Sequence, residues 1–230
     1  MKFAALSENL ARVREEIEHI KVKEGNSSEV RIVAVTKGHP VDAVVAAHSV
    51  GLANVGENRV QEAMDKIDEV RQLPLCWHLI GHLQTNKAKY IPGNFDLVHS
   101  VDSVRLARAL HKAVVRSDHA VSLDVLVQVN VAREPQKTGC DPEEVEEICS
   151  TVLGLPTLRL RGLMTMAPFV DDERVQREVF ADLRRLGERL ASSGVSHPEL
   201  SMGMSHDFRS AIAEGATILR LGTALFGERP

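Results

Sequence analysis

The sequence predicts an α/β fold, a (β/α)8 TIM-type barrel with an extra helix at its N-terminus. The length of 230 residues is close to the roughly 250 residues of a typical barrel of this kind. Short apolar runs alternate with longer stretches whose apolar residues recur at three- and four-residue spacing, as strands and amphipathic helices do. Eight apolar runs can be counted, and closing them into a barrel leaves no unpaired edge. We therefore expect one domain, residues 1–230.

The elements follow one another as strand and then helix. The first strand (VRIVAVT) is β-branched and almost wholly apolar, which is typical of a parallel strand covered on both faces. Residues 1–24 predict the extra helix, which we expect to cover the bottom of the barrel. The predicted strands are Val30–Thr36, Ala53–Gly56, Cys76–Gly81, Asp96–Val101, Leu123–Asn130, Leu158–Met166, Glu199–Gly203 and Ile218–Gly222. The clearest amphipathic helices are Ser103–Ser117, Pro142–Leu153 and Asp171–Ser193.

The composition excludes several classes of protein. A formal net charge of -4 and an aromatic content of 3% provide neither the basic field nor the stacking surfaces that nucleic acid requires. No apolar run approaches the length of a membrane span, and residues 1–25 do not resemble a signal peptide. Cys76, Cys140 and Cys149 form no CxxC pair, which fits packing residues in a reducing compartment. We expect a cytoplasmic monomer with neither nucleic acid nor membrane as partner.

Lys37 is the first candidate functional residue. It follows the first strand, at the end where barrel enzymes place their functional groups. Alternation puts it on the same face as Val33 and Val35, so its amine points into the mouth of the barrel if those residues fill the interior. Apolar surroundings would lower the pKa of this amine and supply the neutral form that attacks an aldehyde. The alternative is a lysine that extends into solvent.

The loops after the seventh and eighth strands predict a phosphate site, because barrel enzymes often bind phosphate there. Gly203 and Gly222 allow backbone N–H groups to approach an anion, and Ser201 and Thr223 add hydroxyl donors. Ser205 or Asp207 is placed to open a short helix. The alternative is a set of ordinary turn and capping residues.

Two further polar residues lie near the predicted mouth. Arg220 stands between Leu219 and Leu221, where a guanidinium is costly unless an acceptor takes its hydrogen bonds. A pyridine nitrogen is one such acceptor, and a structural ion pair with Glu57 is the alternative. Asn58 follows the second strand, where its amide can donate to a phenolic oxygen of a ligand or cap the next helix.

His78 and His82 are spaced as zinc-binding histidines are on a helix. Here they straddle a strand that ends in glycine, so the two side chains do not share a helical face. We therefore predict no metal site.

Seven segments spread along nearly the whole chain form a specific pattern. They are AVTK (34–37), GENRVQEA (56–63), WHLIGHLQTNK (77–87), VHSVDS (98–103), LRGLMTMAP (160–168), LSMGMSHDF (200–208) and LRLGTALFG (219–227). In this order they resemble the pyridoxal phosphate homeostasis protein family.

The resemblance implies a fold similar to the barrel domain of alanine racemase, with pyridoxal 5′-phosphate (PLP) bound as a Schiff base on Lys37. The family's arginine facing the pyridine nitrogen corresponds to Arg220, and its asparagine near the cofactor to Asn58. Its phosphate contacts fall on Ser201, Gly203, Gly222 and Thr223.

Two lysine positions bear on how the cofactor is handed on. Many relatives have a second lysine two residues after the Schiff-base lysine, where this chain has His39. Lys137 matches a lysine of the family pattern, although a solvated surface lysine is the simpler interpretation.

The favoured hypothesis is a non-catalytic protein, without catalytic residues, that holds PLP reversibly and delivers it to PLP-dependent apo-enzymes. The main alternative is a PLP-dependent amino-acid racemase, and a third is a Schiff-base aldolase acting on a sugar phosphate. A racemase needs a second acid/base group, and the only tyrosine, Tyr90, lies beyond the third strand. Arg220 also remains protonated, so it cannot donate a proton to the ring nitrogen.

Overall fold

The computed structural model describes residues 3–118 and 122–228. Within those residues eight parallel strands close into a barrel in chain order, and β8 pairs with β1. The predicted (β/α)8 barrel is therefore confirmed. The strands are β1 Arg31–Val35, β2 Asn54–Glu57, β3 Cys76–Leu79, β4 Leu97–Val101, β5 Leu123–Gln128, β6 Leu158–Met164, β7 Glu199–Met204 and β8 Ile218–Leu221.

Helices cover the outside of the barrel. In most units one α-helix follows each strand, but the β3–β4 connection contains a 3-10 helix, Thr85–Tyr90, instead. The α-helices are α1 Leu6–Glu24, α2 Val41–Ser49, α3 Val60–Val70, α4 Val104–Val115, α5 Val145–Leu153, α6 Glu173–Ser192, α7 Phe208–Ala213 and α8 Thr223–Phe226. In the part of the chain that the structure describes, no helix has the length and apolarity to cross a membrane.

Alternation along the strands divides the core into two layers. Val33, Leu97, Leu126, Met164 and Ile218 pack together in one small cluster, as inward-facing residues of a closed barrel do. The outward-facing residues join the helices in a much larger apolar cluster. Val33 is thus interior, as the alternation argument for Lys37 required.

The N-terminal helix does not cover the bottom of the barrel, so that expectation was wrong. At one end of α1, Asn9 Nδ2 donates to the carbonyl oxygen of Leu225 at 2.9 Å; beyond the other end, Asn26 Nδ2 donates to that of Ile212 at 3.1 Å. The helix packs against α7 and α8. Because α8 has only four residues, it leaves much of the outer wall beside β8 uncovered, and α1 takes that position.

Candidate functional site

A cavity of about 460 Å³ opens at the carboxyl ends of the strands. Its volume is in the range of small-molecule sites, and this end of a barrel is where such sites form. Five of the seven predicted cofactor residues line it. They are Lys37, Asn58, Arg220, Gly222 and Thr223.

Ser201 and Gly203 do not line this cavity. Ser201 is fully buried in the barrel interior, where its Oγ accepts a hydrogen bond from Arg220 Nη1 at 2.7 Å. Gly203 has a φ of +94°, and a Cβ there would lie 2.7 Å from Cβ of Ala211. The close packing of α7 on β7 therefore accounts for this glycine without a ligand.

Ser205 takes the place at the cavity wall that sequence reasoning gave to Ser201. Its Oγ accepts hydrogen bonds from the backbone N–H of Gly222 at 3.2 Å and of Ala224 at 3.0 Å. These two amides thus hold the Ser205 oxygen in place, which leaves its O–H free to donate to a ligand in the cavity. β7 continues to Met204, one residue further than predicted, and this extension puts Ser205 at the strand end.

The turn that carries Lys37 is held by hydrogen bonds to the backbone on either side of it. Lys66 Nζ donates to the carbonyl oxygen of Thr36 at 2.8 Å, and the N–H of Gly38 donates to Glu62 Oε1 at 2.6 Å. Lys66 and Glu62 are themselves paired at 3.0 Å. Sequence reasoning missed this pair; its signal is the four-residue spacing of the two residues on α3.

Glu57 is fully buried and belongs to the same cluster. Its Oε1 accepts hydrogen bonds from Lys66 Nζ and from Thr36 Oγ1, each at 2.6 Å. Burial raises the pKa of this carboxyl, while the bonds to Lys66 and Thr36 oppose the rise. Glu57 therefore pairs with Lys66, and the suggested ion pair between Glu57 and Arg220 was wrong.

Arg220 is a buried cation with a surface on the cavity. Its guanidinium donates to Ser201 Oγ at 2.7 Å and to the carbonyl oxygen of Thr165 at 2.9 Å. Among the described residues no carboxylate oxygen lies within 4.0 Å of it. Burial lowers its pKa to about 10, and the charge of Asp207 opposes this shift. The guanidinium thus remains charged at neutral pH and can accept no hydrogen bond.

Asn58 is positioned by its backbone. A Cβ on Gly81, at the end of β3, would lie 2.7 Å from Asn58 Cα, so only glycine permits this approach. The helix-capping alternative for Asn58 was wrong, because the residue before α3 is Arg59 and no side chain caps that helix.

The two histidines considered for zinc lie in different surroundings. His78 is buried inside the barrel and its Nδ1 is 2.8 Å from His99 Nε2. His82 lines the cavity, with its Nδ1 3.5 Å from Asp102 Oδ2. In residues 3–118 and 122–228 no three His, Cys, Asp or Glu side chains are grouped as metal ligands.

Lys137 is not the solvated lysine that was expected. Its Nζ donates to the carbonyl oxygen of Ala167 at 2.8 Å and to that of Met166 at 3.3 Å, and it is paired with Glu134. The side chain therefore ties the loop after β5 to the loop after β6.

His39 and Tyr90 both lie away from the cavity. The ring of His39 packs between Phe3 and Phe226, with ring centroids 5.9 and 5.4 Å away. Tyr90 closes the 3-10 helix and contacts Lys87 and Lys89. Neither ring can touch a ligand bound beside Lys37.

A larger cavity, of about 680 Å³, lies near the amino ends of β7 and β8. Its two arginines, Arg177 and Arg184, both pair with Glu214. Because these cations are already compensated and no lysine lines this cavity, the smaller one is the better candidate site.

Comparisons with known proteins support the barrel fold. The family profile described as alanine racemase, N-terminal domain, matches residues 4–230. Alanine racemase from Corynebacterium glutamicum superimposes with a TM-score of 0.70 at 19% identity, over 99% of this chain and 62% of that one. PipY of Synechococcus elongatus, solved without PLP, gives a TM-score of 0.86 at 37% identity, over 96% and 100%. PipY with PLP bound gives 0.83 at 36%.

Curated relatives share the whole length of the chain. A protein of Aquifex aeolicus is 41% identical over 96% of this chain and 97% of its own. A protein of Escherichia coli K12 is 38% identical over 97% of each. Both are named pyridoxal phosphate homeostasis protein. This chain, with its alanine racemase-type barrel, therefore belongs to the pyridoxal phosphate homeostasis protein family.

Proposed function

We propose that this chain binds PLP in the cavity at the carboxyl ends of the strands and releases it again, as a store of the cofactor. The observation that carries the proposal is the cavity wall shared by Lys37 and Arg220, with the Ser205 hydroxyl, Thr223 and the backbone of Gly222 in the same cavity. An amine for the aldehyde, donors for the phosphate and an aspartate or arginine for the ring nitrogen are the groups that typically hold PLP. The donor set therefore fits PLP.

Each residue has a distinct part in the proposed site. Lys37 holds the aldehyde as a Schiff base, and Asn58 donates to the phenolic oxygen. Arg220 donates to the pyridine nitrogen. The phosphate is bound by Ser205, Thr223 and the backbone amide of Gly222, which replaces the earlier assignment to Ser201 and Gly203.

The proposed role is storage and delivery in the cytoplasm by a monomer, with PLP-dependent apo-enzymes as transient partners. The names of the curated relatives support the role in homeostasis, and PipY with PLP bound supports the ligand. The bond from Lys37 to PLP would be covalent but reversible, because an amine of the receiving apo-enzyme can displace Lys37.

Delivery is tested by mixing the PLP-loaded protein with an apo-enzyme and timing the return of that enzyme's activity. We expect reactivation to be faster than with free PLP alone, at the concentration of free PLP present in equilibrium with the loaded protein. The Lys37→Ala variant, treated in the same way, should give no more than free PLP gives. Equal rates for both proteins would contradict delivery.

Racemisation remains the second candidate because of His82. This imidazole lines the same cavity as Lys37, and Asp102 Oδ2 is 3.5 Å from its Nδ1, an arrangement that general bases use. Tyr90 cannot serve, since it lies outside the cavity. We favour storage because the charged Arg220 cannot protonate the ring nitrogen, which weakens the ring as an electron sink.

Proton exchange at Cα of L- and D-alanine in deuterated water separates the two functions. We expect turnover far below the roughly 1–1,000 per second of enzymes. Turnover within that range, and its loss in His82→Gln, would establish a racemase with His82 as the second base.

A further inference from the structure

Below the cavity, polar side chains from five strands hydrogen-bond in series through the barrel interior. Arg220 Nη1 on β8 is 2.7 Å from Ser201 Oγ on β7, which is 2.8 Å from His99 Nδ1 on β4. His99 Nε2 is 2.8 Å from His78 Nδ1 on β3, and His78 Nε2 is 3.0 Å from Asn54 Oδ1 on β2. The middle three residues are fully buried.

Only one direction of donation satisfies this series. Burial lowers the pKa of His78 to about 3 and that of His99 well below its ordinary value, so each ring carries one N–H at neutral pH. Asn54 Oδ1 can only accept, which puts the proton of His78 on Nε2 and leaves Nδ1 to accept from His99. His99 Nδ1 then accepts from the Ser201 hydroxyl, whose oxygen accepts from Arg220.

We infer that Ser201, His99 and His78 are positioning residues, which hold the Arg220 guanidinium at the ring nitrogen of the cofactor. The inference rests on the proposed function, since it assigns these residues to the same site. They touch no ligand themselves. Ser201 offers Arg220 a fixed acceptor from below, and His99 and His78 fix the orientation of that acceptor in turn.

The cost of this arrangement argues for such a role. Apolar residues fill another part of the barrel interior, and replacing both partners of a buried hydrogen bond by apolar groups of the same shape costs little or no stability. Two of the three residues are histidines that give up their charge to stay buried, which lowers stability in acid. A purely structural core needs neither of them.

Ser201→Ala tests the inference with PLP and with pyridoxal, which lacks the phosphate. If Ser201 acts through Arg220, both ligands should bind about tenfold or more weakly, because the lost bond involves a charged donor. The 15N resonance of the ring nitrogen should move toward the protonated range as Arg220 loses its fixed orientation. Loss of affinity for PLP alone would mean that Ser201 contacts phosphate, and the inference would be overturned.

Thr223→Ala is the matched control, since Thr223 lies at the proposed phosphate end. It should lower the affinity for PLP, leave the affinity for pyridoxal unchanged, and leave the 15N resonance in place. Ser201→Thr, which keeps the hydroxyl, should restore both affinities. If Ser201→Ala does not fold, Asn54→Ala at the half-buried end should show the same two changes at smaller size, and no change would overturn the inference. Wild-type protein that binds neither ligand would instead refute the proposed function.

Discussion

Among single residues, Lys66 is one of the side chains that hold the turn carrying Lys37. Only 8% of its side chain is exposed, and Glu57 beside it is fully buried. Its ammonium group compensates that carboxylate and also holds the carbonyl oxygen of Thr36. Removing one partner of a buried ion pair leaves a charge without compensation, which costs far more than the pair contributes.

Lys66→Met should therefore lower the free energy of unfolding by about 3–5 kcal/mol at neutral pH. Urea titration measures this loss, and Arg71→Met, which breaks the exposed pair with Asp68, is the control that should change little. Equal losses in the two variants would contradict the account of the cluster.

The deficit of Lys66→Met, meaning its loss of unfolding free energy relative to wild type, should also depend on pH. Without Lys66, the pKa of Glu57 in the folded protein rises further above its ordinary value of 4.5. The unfolded chains titrate alike, so the deficit relative to wild type grows as pH rises from the folded pKa of Glu57 in wild type to its higher folded pKa in the variant, and levels off above that. A deficit that is constant from pH 4 to pH 8 would contradict this cause.

At the scale of elements, the chain segment after β3 limits the position of Asn58, the polar residue that follows β2. The backbone of Gly81 contacts that of Asn58 so closely that there is no space for a side chain. Gly154, after α5, is different: a Cβ there would meet only the carbonyl oxygens of Thr151 and Ser150, at 3.5 and 3.6 Å.

Gly81→Ala should move Asn58 and cost about 1–3 kcal/mol, the usual cost of overpacking, together with a loss of affinity for PLP. Gly154→Ala is the matched control and should keep both properties. Thermal unfolding and PLP titration of the two variants provide the measurements. Full affinity in Gly81→Ala would show that Asn58 does not contribute to binding.

At the scale of the whole molecule, the buried histidines should make the barrel less stable in acid. His78 accepts a proton in the folded protein only near pH 3, whereas its ordinary pKa is 6.5. The unfolded chain binds that proton below pH 6.5, so stability falls as the pH drops from 6.5 toward 3, by about 1.4 kcal/mol per unit for each such ring. Urea titrations at pH 7 and pH 5 give the free energy of unfolding at each pH. The loss of this free energy between pH 7 and pH 5 should be smaller for His78→Gln than for wild type, and His19→Gln, at an exposed position, is the control. An unchanged difference would contradict the burial of a neutral ring.

The fold was predictable from the sequence because short apolar runs typical of parallel strands recur eight times, with amphipathic helices between several of them. Within the site, Lys37, Asn58 and Arg220 were predictable because each follows or lies within a clear strand. Ser205 was predicted only as a residue that could open a helix, because one extra residue in β7 moves the strand end and single-residue boundaries are not visible in a pattern. The series from Arg220 to Asn54 was not predictable, since it joins five strands that meet only after the barrel closes.

The proposed function depends above all on a covalent bond between Lys37 and PLP in this cavity. Borohydride reduction of the PLP-loaded protein, followed by proteolysis and mass spectrometry, tests it most directly because reduction makes the Schiff base permanent. We expect one pyridoxyl group per chain on the peptide that contains Lys37, and none in Lys37→Ala. A pyridoxyl group on Lys137 or Lys66, or equal labelling of the Lys37→Ala variant, would contradict it.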